Sequence, residues 1–437
     1  MSQPHIIKDA PQVENLVNLE KLYLDDNELL DLQPALLHLP KLQVLDLDNN
    51  SLEHVELTTL PRCLRCLRLK GNNISHIELT ACRTVLQQLD LSCNNIQSLE
   101  DFSFKSLVKL KFLDLSSNVI EKVPKTIGKL ENLRKLYLDD NMLDELTASI
   151  CLISRLRVLN ISQNNISQLP PEIGNLKLLR ELYVENNQLE TLPVELENIT
   201  RLLALCISGN MLVRIPPVIG QLSYLRDLLM FNNKIRNLDM SVLSRCQSLI
   251  VLGLAMNRIK KIPSDINELK SVRIIQLDSN RLVEIPNEVS QLTTLRYLSL
   301  NNNRIEYIPD SLSTLSELVG LLLDNNSLTE VPSSVGHLRK LRVLSVKHNY
   351  IEYIPDTLSL LVNIELVDVC DNKLTRLPST ISEWSETVEL KTHNNDLSLP
   401  PQEVADRGII SIKTFLRDNV EQTDSQSVAS EFETTAI

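Results

Sequence analysis

Apolar residues recur in this chain in one repeating order. Residues 295–318, LRYLSLNNNRIEYIPDSLSTLSEL, read Leu-x-x-Leu-x-Leu-x-x-Asn, then an Ile-Pro step, then further apolar positions. Leu295, Leu298 and Leu300 precede Asn303, and Ile305, Ile308, Pro309 and Leu312 follow it. The closing Asn falls at 27, 50, 72, 94, 118, 141, 164, 187, 210, 233, 257, 280, 303, 326, 349, 372 and 395. Sixteen steps span 368 residues, a mean of 23, and no step is shorter than 22 or longer than 24. So constant a period marks an array in which each unit packs on its neighbours.

The spacing predicts the parts of one unit. In LYLDDN, Leu22 and Leu24 alternate with Tyr23 and Asp25, which is strand periodicity with one face inward. The Asn side chain has two donor hydrogens and an acceptor oxygen, so it can satisfy backbone groups where the strand turns. The segment after it carries Pro at 124, 170, 193, 216, 263, 286, 309, 332, 355, 378 and 400. Proline fixes φ and donates no hydrogen bond, which suits an irregular or short helical return. Repeats one to four, six and ten lack it, and repeat ten carries DMSVLSRCQSL, a more helical outer segment.

This consensus resembles the leucine-rich repeat family over residues 19–400. The resemblance implies an α/β solenoid, a horseshoe with a parallel strand on the concave face of each of about seventeen repeats. Residues 1–18 read as a partial N-terminal repeat or cap. After Pro401, residues 401–418 read as a capping helix that places Ile409, Ile412, Phe415 and Leu416 on the last repeat, and 419–437 read as a disordered acidic tail. The 23-residue Ile-Pro unit and this ending resemble intracellular proteins of the Ras-scaffold (SHOC) type, plant Ras-group proteins, and the Scribble and Erbin repeat domains. That resemblance implies a cytoplasmic scaffold in signal transduction, with a small GTPase, a phosphatase or a polarity protein as partner. The chain departs from those groups in two ways: no basic-Val-x-Phe phosphatase-docking segment lies near the N-terminus, and no PDZ domain follows the repeats.

Composition narrows the partners. Apolar residues make up 43% and aromatics only 3%, so leucine must fill the core. The net charge of −12 argues against nucleic acid, which needs a basic face. MSQPHIIKDAPQVENL shows no basic lead and no apolar run of a secretion signal, and no stretch approaches the ~20 apolar residues of a membrane span. Eight cysteines, Cys63, Cys66, Cys82, Cys93, Cys151, Cys206, Cys246 and Cys370, do not cluster at the array ends, as reduced thiols in the cytosol would not. Asn-x-Ser/Thr sequons such as Asn73-Ile-Ser75 and Asn198-Ile-Thr200 then carry no glycan.

No phosphate-binding loop, nucleophile elbow, zinc-protease or kinase signature is present, so catalysis and cofactors are not expected. Cys63-x-x-Cys66 with Cys82 and Cys93 could suggest a metal. In repeat register Cys66 is third and Cys93 eighth, an offset of about 15 Å at strand rise, too far to share a tetrahedral zinc.

Binding is better placed at positions three, five and seven of the nine-residue segment, which point away from the core. Six of the fifteen aromatics fall there: Tyr23, Phe112, Tyr137, Tyr183, Phe231 and Tyr297. Ala204, Cys206, Leu229, Phe231, Val251, Ala255 and Ile274 form an apolar run on the same face, while the first eight repeats are rich in Asp, Glu and Tyr. Two readings stay open: these side chains anchor a protein partner, or they pack laterally across neighbouring strands. The candidate partner-binding residues are Tyr137, Tyr183, Leu229, Phe231, Val251, Ile274 and Tyr297. The last residues, Thr435-Ala436-Ile437, fit a C-terminal PDZ ligand, with Thr435 two before the terminal carboxylate of Ile437. The function expected is a non-catalytic interaction scaffold. Two alternatives are the regulatory repeats of a larger signalling enzyme and an extracellular recognition module.

Overall fold

A computed structural model describes residues 16–31, 39–56, 61–78, 85–100, 102 and 104–418. The chain divides into two compact units, one ending at Asp227 and the other starting at Leu228. The fold is a leucine-rich repeat solenoid, with a 17-stranded parallel sheet of three-residue strands. The expectation for residues 1–18 rests mostly on 1–15, outside the described residues, and so does the tail 419–437 with Thr435 and Ile437.

In the first unit the strands run from Lys21–Tyr23 to Ala204–Cys206 in strict register. Leu136, Leu159 and Leu182 face one another on adjacent strands and are fully buried. At about 25 cal/mol per Å2 of apolar surface, such columns supply most of the drive for stacking. Asn164 closes its repeat as its donors and acceptor require. Its Nδ2 donates to Leu138 O, Ile161 O and Ser162 O at 3.0, 3.1 and 3.0 Å, and its Oδ1 accepts from Leu143 N at 2.9 Å. The residue before each Asn lies in the left-handed region, as Asp140 does at φ 55°.

The second unit repeats this plan from Val251–Gly253 to Glu389–Lys391. Asn326 makes the same contacts, donating to Leu300 O, Leu323 O and Asp324 O and accepting from Ile305 N. The outer return is a 3-10 helix that starts directly after proline, as in Asp310–Thr314 behind Pro309 at φ −71°. Repeat ten, without that proline, forms an α-helical turn at Met240–Leu243, where the Asp239 side chain accepts from Ser241 N.

Two departures from the expected elements stand out. The 22-residue repeats build short outer strands, His54–Glu56 and His76–Glu78, which pair in parallel in a separate two-stranded sheet. Residues 401–418, expected as one capping helix, form two pieces: Gln402–Ala405 and 409–418. Gly408, at φ 92°, breaks the helix between them, in a conformation other residues adopt at a cost. Ile409, Ile412 and Leu416 are buried and Phe415 is half-buried, while Lys413 Nζ donates to Trp384 O at 2.6 Å.

Candidate interaction surface

The free face of the sheet differs between the units. In the first unit it is acidic and aromatic. Buried Asp46 pairs with Arg68 at 3.1 Å, and Asp48 Oδ1 accepts from Lys70 N at 2.7 Å. Burial, aided by repulsion from Asp46 and Asp90, pushes the Asp48 carboxyl up to about 6, against the opposing pull of the Lys70 N–H and Arg68. A shallow depression of about 420 Å3 lies here, lined by Asp48, Cys66, Arg68, Lys70, Asp90 and Phe112 among others. The Cys66 thiol donates to Gln88 Oε1 at 3.3 Å, and burial raises its pKa.

Farther along, the Phe112 and Tyr137 rings pack with centroids 5.6 Å apart at 48°. Asp114 gives one oxygen to Ser116, accepting from both N and Oγ. Asp139 has a buried Oδ1 with no hydrogen-bond partner. Burial, against the pull of its own backbone N–H and aided by repulsion from Asp114 and Asp140, lifts its carboxyl to about 6. Tyr137 and Tyr183 are not neighbours, because Asn160 stands between them in the register. Tyr183 Oη donates to Glu181 Oε2 at 3.1 Å, and burial raises its phenol pKa before Glu181 adds to the effect.

In the second unit the face is apolar along one column. The register runs Val251, Ile274, Tyr297, Gly320, Val343, Leu366 on consecutive strands. Val343 and Leu366, each third in its own repeat, extend the run along the same column. Leu229, Phe231, Val251 and Ile274 are all half-buried, and Tyr297 is 44% exposed. Two glycines explain how the aromatics settle. A Cβ on Gly253 would stand 2.4 Å from Phe231 Cζ, and one on Gly320 2.7 Å from Tyr297 Cδ1. Each ring therefore lies over the bare backbone of the next strand, so these two aromatics do pack laterally. They still present an outer surface. Ala204 and Cys206, grouped with this run by sequence, belong to the first unit, and Cys206 is buried.

The repeat pattern, the ladder of asparagines and the parallel strands are those of one family. Family models described as leucine rich repeat match residues 17–74 and 84–143, and models described as a leucine-rich repeat region match 150–252 and 287–394. The chain belongs to the leucine-rich repeat family. It is similar to the structure of a leucine-rich repeat protein of Leptospira interrogans at 29% identity, covering 94% of this chain and 99% of that one, with a TM-score of 0.78. The plant peptide hormone receptor RGFR1, solved in complex with RGF2, is 23% identical over 92% of this chain and 74% of its own, with a TM-score of 0.65. An internalin of Listeria monocytogenes is 21% identical over 82% and 88%, with a TM-score of 0.55. These last two share the fold. No curated protein sequence matches the chain. Among the described residues, no helix is long and apolar enough to cross a membrane.

Proposed function

We propose that this protein is a non-catalytic scaffold in intracellular signal transduction that binds a protein partner on the free face of its sheet. The observation that carries this reading is the apolar column of the second unit, from Val251 to Leu366, flanked by Leu229 and Phe231. These side chains have no place in the repeat core, which the leucines already fill, and a contiguous apolar run on a free face supports a docking role. Phe231 and Tyr297, fixed against glycine backbones, lose little freedom on binding, which suits anchors. On the first unit Tyr137 and Tyr183 stand among carboxylates that steer the basic side of a partner. A small GTPase, a phosphatase or a polarity protein fits the resemblance to cytoplasmic Ras-scaffold and Scribble-type repeats.

The test uses the full chain and its double variant Phe231→Lys, Ile274→Lys, each mixed with purified GTP-loaded small GTPases and with phosphatase catalytic subunits. At least one partner should co-elute with the native chain and be lost with the variant. Co-elution that the variant leaves unchanged, with its fold intact by circular dichroism, removes the column as the docking face.

A further inference from the structure

A second surface of the first unit points to a different ligand. Position two of the repeat, just before the strand, carries Lys111, Arg134, Arg157 and Arg180 on four consecutive repeats. The backbone sets their register: Arg134 N donates to Lys111 O at 2.9 Å, Arg157 N to Arg134 O at 2.8 Å and Arg180 N to Arg157 O at 2.8 Å. All four residues are exposed. Lys111 Nζ donates to the neutral Gln87 Oε1 at 2.8 Å. Among the described residues, no ion pair involves Arg134, Arg157 or Arg180. Exposed Lys135 adds a further cation beside Arg134, and Glu181, next to Arg180, accepts from Tyr183.

Like charges opposed on adjacent strands repel. In a chain with 56 acidic and 44 basic residues, counter-charges are plentiful, yet none is placed on this ladder. Solubility does not account for it, since the chain already carries −12. An anionic partner does.

Spacing identifies the form of that partner. Adjacent strands lie about 4.8 Å apart, so the ladder spans about 14 Å over its three intervals. Carboxylates on one face of an α-helix, at i, i+4, i+7 and i+11, span about 16 Å, within reach of flexible arginines. Alternate side chains of an extended chain span about 20 Å over three intervals and slip by more than one rung. We infer that the column Lys111–Arg134–Arg157–Arg180 docks an acidic helix of a protein partner, glutamates on one helical face meeting the cations rung by rung, with bidentate guanidinium–carboxylate pairs at the three arginines.

The probe is an alanine-based helical peptide with Glu at i, i+4, i+7 and i+11, set against an isomer of identical composition whose glutamates are spread around the helix. Fluorescence anisotropy with the full-length protein should show the first peptide binding about tenfold tighter than the second, and weakening as salt rises. Arg134→Gln with Arg157→Gln should lose at least about tenfold in affinity while melting no lower than the native chain. Lys270→Gln, which removes an exposed cation of the second unit, should leave the affinity unchanged, which separates this column from positive charge elsewhere on the chain. No binding to the native chain, equal affinity for the two peptides, or full affinity in the glutamine double variant would each overturn the assignment.

Discussion

The two units share a skeleton and differ in what stands between its leucines. Asn164 in the first and Asn326 in the second make the same four hydrogen bonds to the same backbone positions. Yet Asp48, Asp114 and Asp139 sit on the free face of one, and Val251, Ile274 and Val343 on that of the other. Even one position behaves differently. Asp324, seventh in its repeat, has its Oδ1 satisfied by Ser345 Oγ at 2.6 Å and Lys347 N at 2.8 Å, whereas Asp139, also seventh, keeps a buried oxygen without a partner. The lesson is a division of labour. Positions one, four, six and nine are bound by packing and backbone satisfaction, and three, five and seven are left free of the leucine core to vary between repeats.

The largest effect tests the shared part. Asn164→Ala and Asn326→Ala should each destabilise their unit by about 3 kcal/mol, since each strands a buried N–H and three carbonyls. Hydrogen exchange resolved by unit is the suitable measurement, because repeat arrays need not unfold in one step. Losses that differ between the two by more than about 1 kcal/mol would show that the skeleton is not common to both.

A smaller effect should be confined to the second unit. Gly253→Ala puts a methyl group 2.4 Å from Phe231 Cζ, and the ring must move. We expect a loss of about 2 kcal/mol by denaturant titration, with partner binding weakened alongside. A variant as stable as the native chain would mean that Phe231 is not held by the glycine.

The smallest effect separates the two aspartates. Burial pushes the Asp139 carboxyl up to about 6 in the folded chain, from the 3.8 of a free aspartate. The folded state therefore binds more protons between those values, and its stability falls as pH rises from about 4 to 6. Asp139→Asn should remove that penalty and raise stability at pH 7 by about 1 kcal/mol after allowance for solvent screening, with little gain at pH 4. Asp324→Asn should gain less, because burial raises this carboxyl too but the Ser345 hydroxyl and Lys347 N–H offset part of that, and an amide meets them less well. Melting curves at the two pH values distinguish these outcomes, and equal shifts in both variants would sink the distinction.

Much of the fold was legible in the chain. The strands followed from Leu-x-Leu alternation, the turns from Asn, the short outer helices from Pro309 and its equivalents, and the helical return of repeat ten from DMSVLSRCQSL. The paired outer strands His54–Glu56 and His76–Glu78 left no such trace, since three residues cannot declare a partner 22 residues away. The face was legible only as a set of positions. Leu229, Phe231, Val251, Ile274 and Tyr297 could be placed on it, but not the order in which they touch. The basic ladder was missed because each Arg at position two, taken singly, is an ordinary exposed residue.

What the sequence determined by itself was the period and the slots that fill the core, because those depend on contacts repeated in every unit and enforced by the burial of leucine. The tertiary structure alone decided that Phe231 lies over Gly253, that Asp139 keeps an unpaired oxygen, and that, among the described residues, no acidic side chain pairs with Arg134, Arg157 or Arg180. Each of these depends on which residue stands opposite, about 23 positions away, and on how much water remains between them.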